Sequence, residues 1–233
     1  MNCFLDYRIT KEELTNIYKL NIDPIIVPKC DYVYNAIDGH VDIQLNIIDK
    51  NSREIIVQNS ISNDFIKKLE EYKINFSFSK NSLGLSYPNN IILNGLILDE
   101  YFVHNLKYTD ENLLDNVKDK KLINVKQGYT KCSVLPIGNK AIITSDKKIA
   151  LSLKSEGFDT LILPSGDILL PDLNYGFIGG VGGMINSNTL ALFGEISNYA
   201  FGNELYRFLY KYDIKPISLR KGKLIDRGSL FII

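Results

Sequence analysis

Short apolar runs recur along the chain, and many are joined by a stretch whose apolar residues follow helical spacing. AIITSDKKIALSLKSEGFDTLILP (141–164) shows the unit in full: an apolar strand, an amphipathic helix and a second apolar strand, with Gly157 placed to end the helix. The same order appears in FLDYRITKEELTNIYKLNIDPIIVP (4–28), where Thr10 and Glu13 form a capping-box pair and Leu14, Ile17 and Tyr18 share a helix face. It recurs in 54–78, in a longer version over 90–128, and in 190–219. The units begin near residues 4, 54, 91, 141 and 190, so most spacings are close to fifty.

Between units lies one further apolar stretch: HVDIQLNI (40–47), LGLSYP (83–88), KCSVLPI (131–137) and GFIGGVGGMI (176–185). The first unit has none before it, and the C-terminal GSLFII (228–233) has the required character and no other partner. The economical arrangement is an α/β ring of five strand–strand–helix–strand modules, spanning 1–39 plus 226–233, 40–82, 83–130, 131–175 and 176–225. Closing the ring hides edges that would otherwise pair with other chains, and makes residues 1–233 a single domain. An ordinary open α/β sheet is the competing architecture.

The charge is balanced, with 27 basic and 27 acidic residues, and argues against a nucleic-acid or anionic-membrane partner. No apolar run reaches membrane-spanning length, and acidic residues interrupt the N-terminal segment where a signal peptide would be apolar. Cys3, Cys30 and Cys132 lie too far apart for a metal-type pair or a disulfide framework. These features point to a cytoplasmic location with free thiols.

Only two histidines are present. His40, in AIDGHVDIQL, stands between Asp38 and Asp42; on a strand, His40, Asp42 and Gln44 would share one face and Val41, Ile43 and Leu45 the other. Taken alone, this is the exposed face of a half-buried strand. The ring changes that reading, because it brings the interposed strands to a common centre. Cys132 then stands two modules after His40, and Asp226 one module before it. A thiol, an imidazole and carboxylates meeting there would form a nucleophile, an acid/base and an anchor for a cation.

With these residues the chain resembles the pentein, or guanidino-group-modifying, superfamily, which includes arginine and agmatine deiminases, dimethylarginine dimethylaminohydrolase and the amidinotransferases. GHVD (39–42) resembles the Gly-His-x-Asp of agmatine deiminase. Cys132 in GYTKCSV holds the family nucleophile's place relative to His-x-Asp, and Asp226-Arg227-Gly228-Ser229 is similar to the family's Glu-Gly-Gly-Asp/Ser. The resemblance implies a five-module α/β propeller and a cysteine hydrolase or amidinotransferase acting on a guanidino or amidino compound without a cofactor. It assigns Cys132 as nucleophile, His40 as acid/base, and Asp42 and Asp226 as groups holding His40 or a guanidinium; Asp38 is a further substrate-binding candidate. The nucleophile lies in the fourth module here and in the last one in the familiar enzymes, as in a permuted, compact bacterial branch.

Two departures stand out. YGFIGGVGGMI lacks the carboxylate the family places there and carries glycines, of which Gly180 and Gly182 are candidates for close approach to a substrate; a crowded turn at the ring centre explains them equally well. Arg227 would repel an arginine-like substrate and bind a carboxylate. His104 belongs to a connector or the core, Cys3 and Cys30 are buried hydrophobes, and Lys131 alternates to the strand face opposite Cys132. The competing function is a non-catalytic ring binding a protein or RNA, since fold alone does not make an enzyme. A homodimer is an open possibility.

Overall fold

The computed structural model describes residues 1–233 and contains five three-stranded sheets. In the first, β1 (Asn2–Asp6) is parallel to β2 (Asp23–Val27). The second holds β3 (Leu45–Asp49), β4 (Glu54–Val57) and β5 (Asn75–Phe78), and the third β6 (Leu96–Ile97), β7 (Tyr101–His104) and β8 (Lys121–Asn124). The fourth is β9 (Val134–Gly138), β10 (Ala141–Thr144) and β11 (Asp159–Ile162); the fifth is β12 (Gly182–Asn186), β13 (Thr189–Leu192) and β14 (Lys215–Ser218). Each sheet has an inner strand antiparallel to its middle strand, which is parallel to an outer strand reached through a helix. The inner strand of the first sheet is β15 (Phe231–Ile232), paired as Cys3 with Ile232 and Phe4 with Phe231.

The middle strands explain the apolar runs. Successive side chains on a strand point to opposite faces, and here both faces are covered by neighbouring modules. Phe4 enters a core shared with the second sheet, while Cys3 and Leu5 enter one shared with the fifth. Ile56 and Phe102 meet between the second and third sheets, Val103 and Ile142 between the third and fourth, and Ile143 and Leu192 between the fourth and fifth. Five cores, one between each pair of adjacent modules, close the ring.

Helix Lys11–Lys19 carries the Thr10–Glu13 capping box, and a left-handed residue follows its end at Asn21. Lys73, Gly157 and Asp213 take the same conformation after helices Asn63–Glu71, Lys147–Ser155 and Gly202–Lys211. Tyr18 does not join the packed helix face; it is 57% exposed.

Several strand boundaries differ from expectation. His40–Gln44 is not strand: His40 caps a helical turn over Val41–Gln44, and β3 begins at Leu45. Likewise Thr130–Ser133 is a helical turn before β9, and Ile178–Gly180 one before β12. These segments cross the end of the ring, so they are buried on every side and strand alternation does not apply. Residues 83–88 form no strand; the Gly84 N–H donates to the Asn89 carbonyl and closes a loop, and the inner strand is β6. His104 lies on β7 rather than in a connector, and is a core residue bonded to Thr109 and the Gly128 carbonyl. No helix is long and apolar enough to cross a membrane.

Candidate active site

The segments entering the five inner strands are hydrogen-bonded to one another in a closed belt. The Asp42 N–H donates to the Gly228 carbonyl (3.1 Å), and the Asn94 amide donates to the Asp42 carbonyl (2.7 Å). Lys131 N–H donates to the Asn94 carbonyl (3.0 Å). The Lys131 ammonium donates to the Gly179 carbonyl (3.1 Å), and Arg227 N–H to that of Gly180 (3.0 Å), which returns the belt to the first module. Such mutual satisfaction lets irregular backbone lie in the interior without unpaired polar groups.

The belt gathers one cluster. The Cys132 thiol lies 3.2 Å from Asp42 Oδ1 as donor, and accepts from Asn94 Nδ2 at 3.1 Å. Asp42 Oδ2 accepts from the Ser229 hydroxyl (2.7 Å), to which the Lys131 ammonium donates (2.7 Å). His40 Nε2 stands 3.8 Å from Asp226 Oδ1, and neither ring nitrogen has a hydrogen-bond partner. Asp226 is fixed by the N–H groups of Phe177 (2.8 Å) and Gly228 (2.9 Å). Gly228 and Ser229 both have left-handed φ, +66° and +75°. At Ser229 that conformation is strained, and it aims the hydroxyl at Asp42.

Burial dominates the electrostatics. It pushes the Cys132 thiol well above its ordinary value, and Asp42 and Asp226 push it further. It raises Asp42, against the opposing effects of Lys131 and His40, and raises Asp226 to about 6. It lowers His40 and Lys131, with the neighbouring carboxylates opposing. The resting site therefore holds a protonated thiol beside a neutral imidazole.

Cys132, His40, Asp42 and Asp226, drawn from three modules, are together. Arg227 is not with them, since its guanidinium lies 3.5 Å from Glu13 and points to the first helix. Asp38 is in a neighbouring group: it accepts from the Tyr7 hydroxyl (3.1 Å) and lies 3.6 Å from Arg8, which pairs with Asp6. Gly180 and Gly182 sit against protein. A Cβ at Gly180 would fall 1.8 Å from Asp226 Oδ1, and one at Gly182 2.0 Å from the Ala191 carbonyl. Lys131 does not face away, because the helical turn carries its ammonium to Ser229. Asn94 is a member that sequence reasoning passed over, although the polar Asn94 ending the apolar run IILNG was an available signal; Ser229 stood in the Asp226-Arg227-Gly228-Ser229 motif without a role.

Tyr34, Tyr129 and Phe177 pack against the core that contains Cys132. The two tyrosine hydroxyls meet at 3.3 Å, and Tyr129 stacks on Phe177. A large cavity lies elsewhere. Its lining includes Lys131 but neither Cys132 nor His40, so it approaches the cluster from the other end of the ring. A nitrogen of His40, an oxygen of Asp42 and the sulfur of Cys132 lie within 4.8 Å of one another, a mixed donor set that could also close on one zinc-like cation.

This ring, with a buried Cys/His/Asp cluster at its centre, has the fold of the pentein superfamily. The amidinotransferase SxtG from Microseira wollei is similar, with a TM-score of 0.58 at 11% identity over 93% of this chain and 87% of that one. DDAH from Pseudomonas aeruginosa, a mutant complexed with citrulline, gives 0.53 at 8% identity, covering 93% and 91%. C. jejuni agmatine deiminase gives 0.52 at 13% identity, covering 94% and 86%. The chain belongs to the family described as "Family of unknown function (DUF6873)", which it matches over residues 4–231. No curated protein matches the sequence.

Proposed function

We propose that the protein is a cysteine-dependent enzyme acting on a small guanidino or amidino compound, with Cys132 as nucleophile and His40 as acid/base. The observation that carries this reading is the buried set itself: a thiol on Asp42 and an imidazole with two unpartnered nitrogens beside Asp226. A buried polar ring without partners is costly, and structural roles do not call for it. The fold shared with an amidinotransferase, DDAH and an agmatine deiminase supports the same class.

A guanidinium is a delocalised cation with several N–H donors, matched to carboxylate acceptors. Held by Asp42 and Asp226, it would put a positive charge beside Cys132 and offset the burial and carboxylate repulsion that keep the thiol protonated. The thiol proton passes to His40, and the thiolate bonds to the guanidino carbon. His40 returns that proton to the leaving amine as its C–N bond breaks, leaving a thiouronium on Cys132. Water, or an acceptor amine, then loses a proton to His40 and attacks the same carbon; the C–S bond breaks and the thiolate regains the proton. Hydrolysis and amidino transfer differ only in this second nucleophile.

The test is covalent labelling. Chloroacetamidine, a cation, should alkylate Cys132 at least about tenfold faster than neutral chloroacetamide at pH 7.5, after correction for their rates with a free thiol; tenfold is about one pKa unit of stabilisation. Peptide mapping should place the adduct on Cys132, with Cys3 and Cys30 unmodified. Equal rates, or labelling spread over the three cysteines, would remove the amidine-accepting site. The half-saturating probe concentration should also fall as pH rises through about 6, where Asp226 ionises and gains charge to hold the cation. A flat dependence between pH 5 and pH 7 would take Asp226 out of cation binding.

A further inference from the structure

A cavity of ≈ 1070 Å³ lies on the side of the ring away from His40 and Cys132. The order of its lining along each strand gives its depth. Cys132, His40 and Asp226 precede their inner strands, whereas the cavity rim comes from the far ends of those strands and the turns beyond, with Asp49, Lys50, Asn139 and Asn186 among them. The walls between are mainly apolar, with Leu96, Leu135, Met184 and Leu230; Asn46 is the polar exception, its amide nitrogen donating to the Leu93 and Gly95 carbonyls. Lys131 stands three residues before β9, and it is the one charged lining residue set back from the rim.

That lysine is only partly used by the protein. An ammonium has three N–H donors; two reach Ser229 Oγ and the Gly179 carbonyl, and the group lies over the Phe231 ring at 5.3 Å. Neither acceptor carries a charge. The carboxylate that most favours its charge, Asp42, makes no direct hydrogen bond to it and is joined to it through the Ser229 hydroxyl. A buried cation at the head of an apolar passage, with a mixed-charge rim, fits a ligand with one anionic head and an aliphatic body. Cations are disfavoured at the inner end, and a bare inorganic anion would leave the apolar walls unused.

We propose that this cavity binds a small aliphatic carboxylate, its acid group on Lys131 and its body against Leu96, Leu135, Met184 and Leu230, and that its binding slows the chemistry of Cys132. The coupling runs through Lys131, Ser229 and Asp42 to the thiol, each in hydrogen-bond contact with the next. An anion on Lys131 cancels the positive field that helps Asp42 and Cys132 carry negative charge. The cavity and the cluster are thus two ends of one charge chain. This inference concerns thiol reactivity and does not depend on the substrate being a guanidine.

The experiment uses hexanoate as probe, 1-hexanol as its uncharged analogue and inorganic phosphate as the bare anion, each titrated calorimetrically into the full chain. Hexanoate should bind saturably, with hexanol and phosphate at least about tenfold weaker. Saturating hexanoate should slow iodoacetamide alkylation of Cys132 at pH 8 several-fold. Met184→Trp, which fills the passage without touching the cluster, should keep the unliganded alkylation rate and lose the response; Lys131→Met should lose hexanoate binding. Absence of saturable hexanoate binding to the wild type overturns the site, as does equal binding of hexanol. Binding that leaves the alkylation rate unchanged overturns the coupling. The wild-type comparison of hexanoate with hexanol decides the matter even if either variant fails to fold.

Discussion

Replacing His40 with leucine should slow chloroacetamidine labelling of Cys132 by about 10²- to 10⁴-fold, the range a positioned acid/base contributes, while the melting temperature holds or rises. The two halves of this result have different causes. The rate falls because the only proposed acceptor of the thiol proton is gone, in a site where burial keeps that thiol protonated. Stability does not fall, because the imidazole is buried with both nitrogens unpartnered and its removal relieves a desolvation cost. Gly228 packs on the Cα and Cβ of His40, and leucine retains both. A conformationally structural histidine gives the reverse pattern: lost stability and an unchanged labelling rate. Labelling within about twofold of wild type would end the acid/base assignment, and a marked drop in melting temperature would show that the ring is needed for packing.

The ring was legible because it is written in the middle strands. Ile55, Ile56 and Val57, or Leu190, Ala191 and Leu192, feed two cores from successive positions, so the sequence shows an uninterrupted apolar run. Such runs at near-regular intervals announce a repeat without any alternation. The site was legible only in part. His40, Asp42, Cys132 and Asp226 were marked by residue type and by falling on, or for Asp226 just before, the stretches expected to be inner strands. The helical turns at 41–44 and 130–133 are too short to show a period of their own, so they read as strand. That misreading placed Lys131 on the wrong side of the chain. Asn94 was hidden because the third module's inner strand is only two residues long, and its approach looked like the strand itself. Arg227 looked like part of the site because it adjoins Asp226; its partner, Glu13, is 214 residues away in sequence. Contacts made only through space leave no local pattern, and most of the supporting polar groups here are of that kind.

Ending the chain at Ser229 should leave it unfolded, seen as loss of near-ultraviolet dichroism and of a cooperative urea transition. Leu230, Phe231, Ile232 and Ile233 are all buried, and they are shared between the cores on either side of the first sheet. At about 1.5–3 kcal/mol for each large apolar side chain, their removal costs about 6–12 kcal/mol. That is comparable with the ~5–15 kcal/mol that stabilises a typical domain. The loss would also strip β1 of its antiparallel partner and expose a strand edge, so aggregation is the expected fate of the truncated chain. A second construction separates the role of the strand from the role of its position in the chain. Asn2 and Ile233 exchange backbone hydrogen bonds, so a short glycine linker can join Ile233 to Met1. New ends opened at the exposed Ser165–Gly166 pair should then give a protein that folds and labels at Cys132. If the truncated chain folds, the first sheet does not need β15 and ring closure contributes little. If the permuted chain fails, the order of modules matters beyond the closure of the ring, which would count against reading this chain as a permuted form of the guanidino-modifying fold.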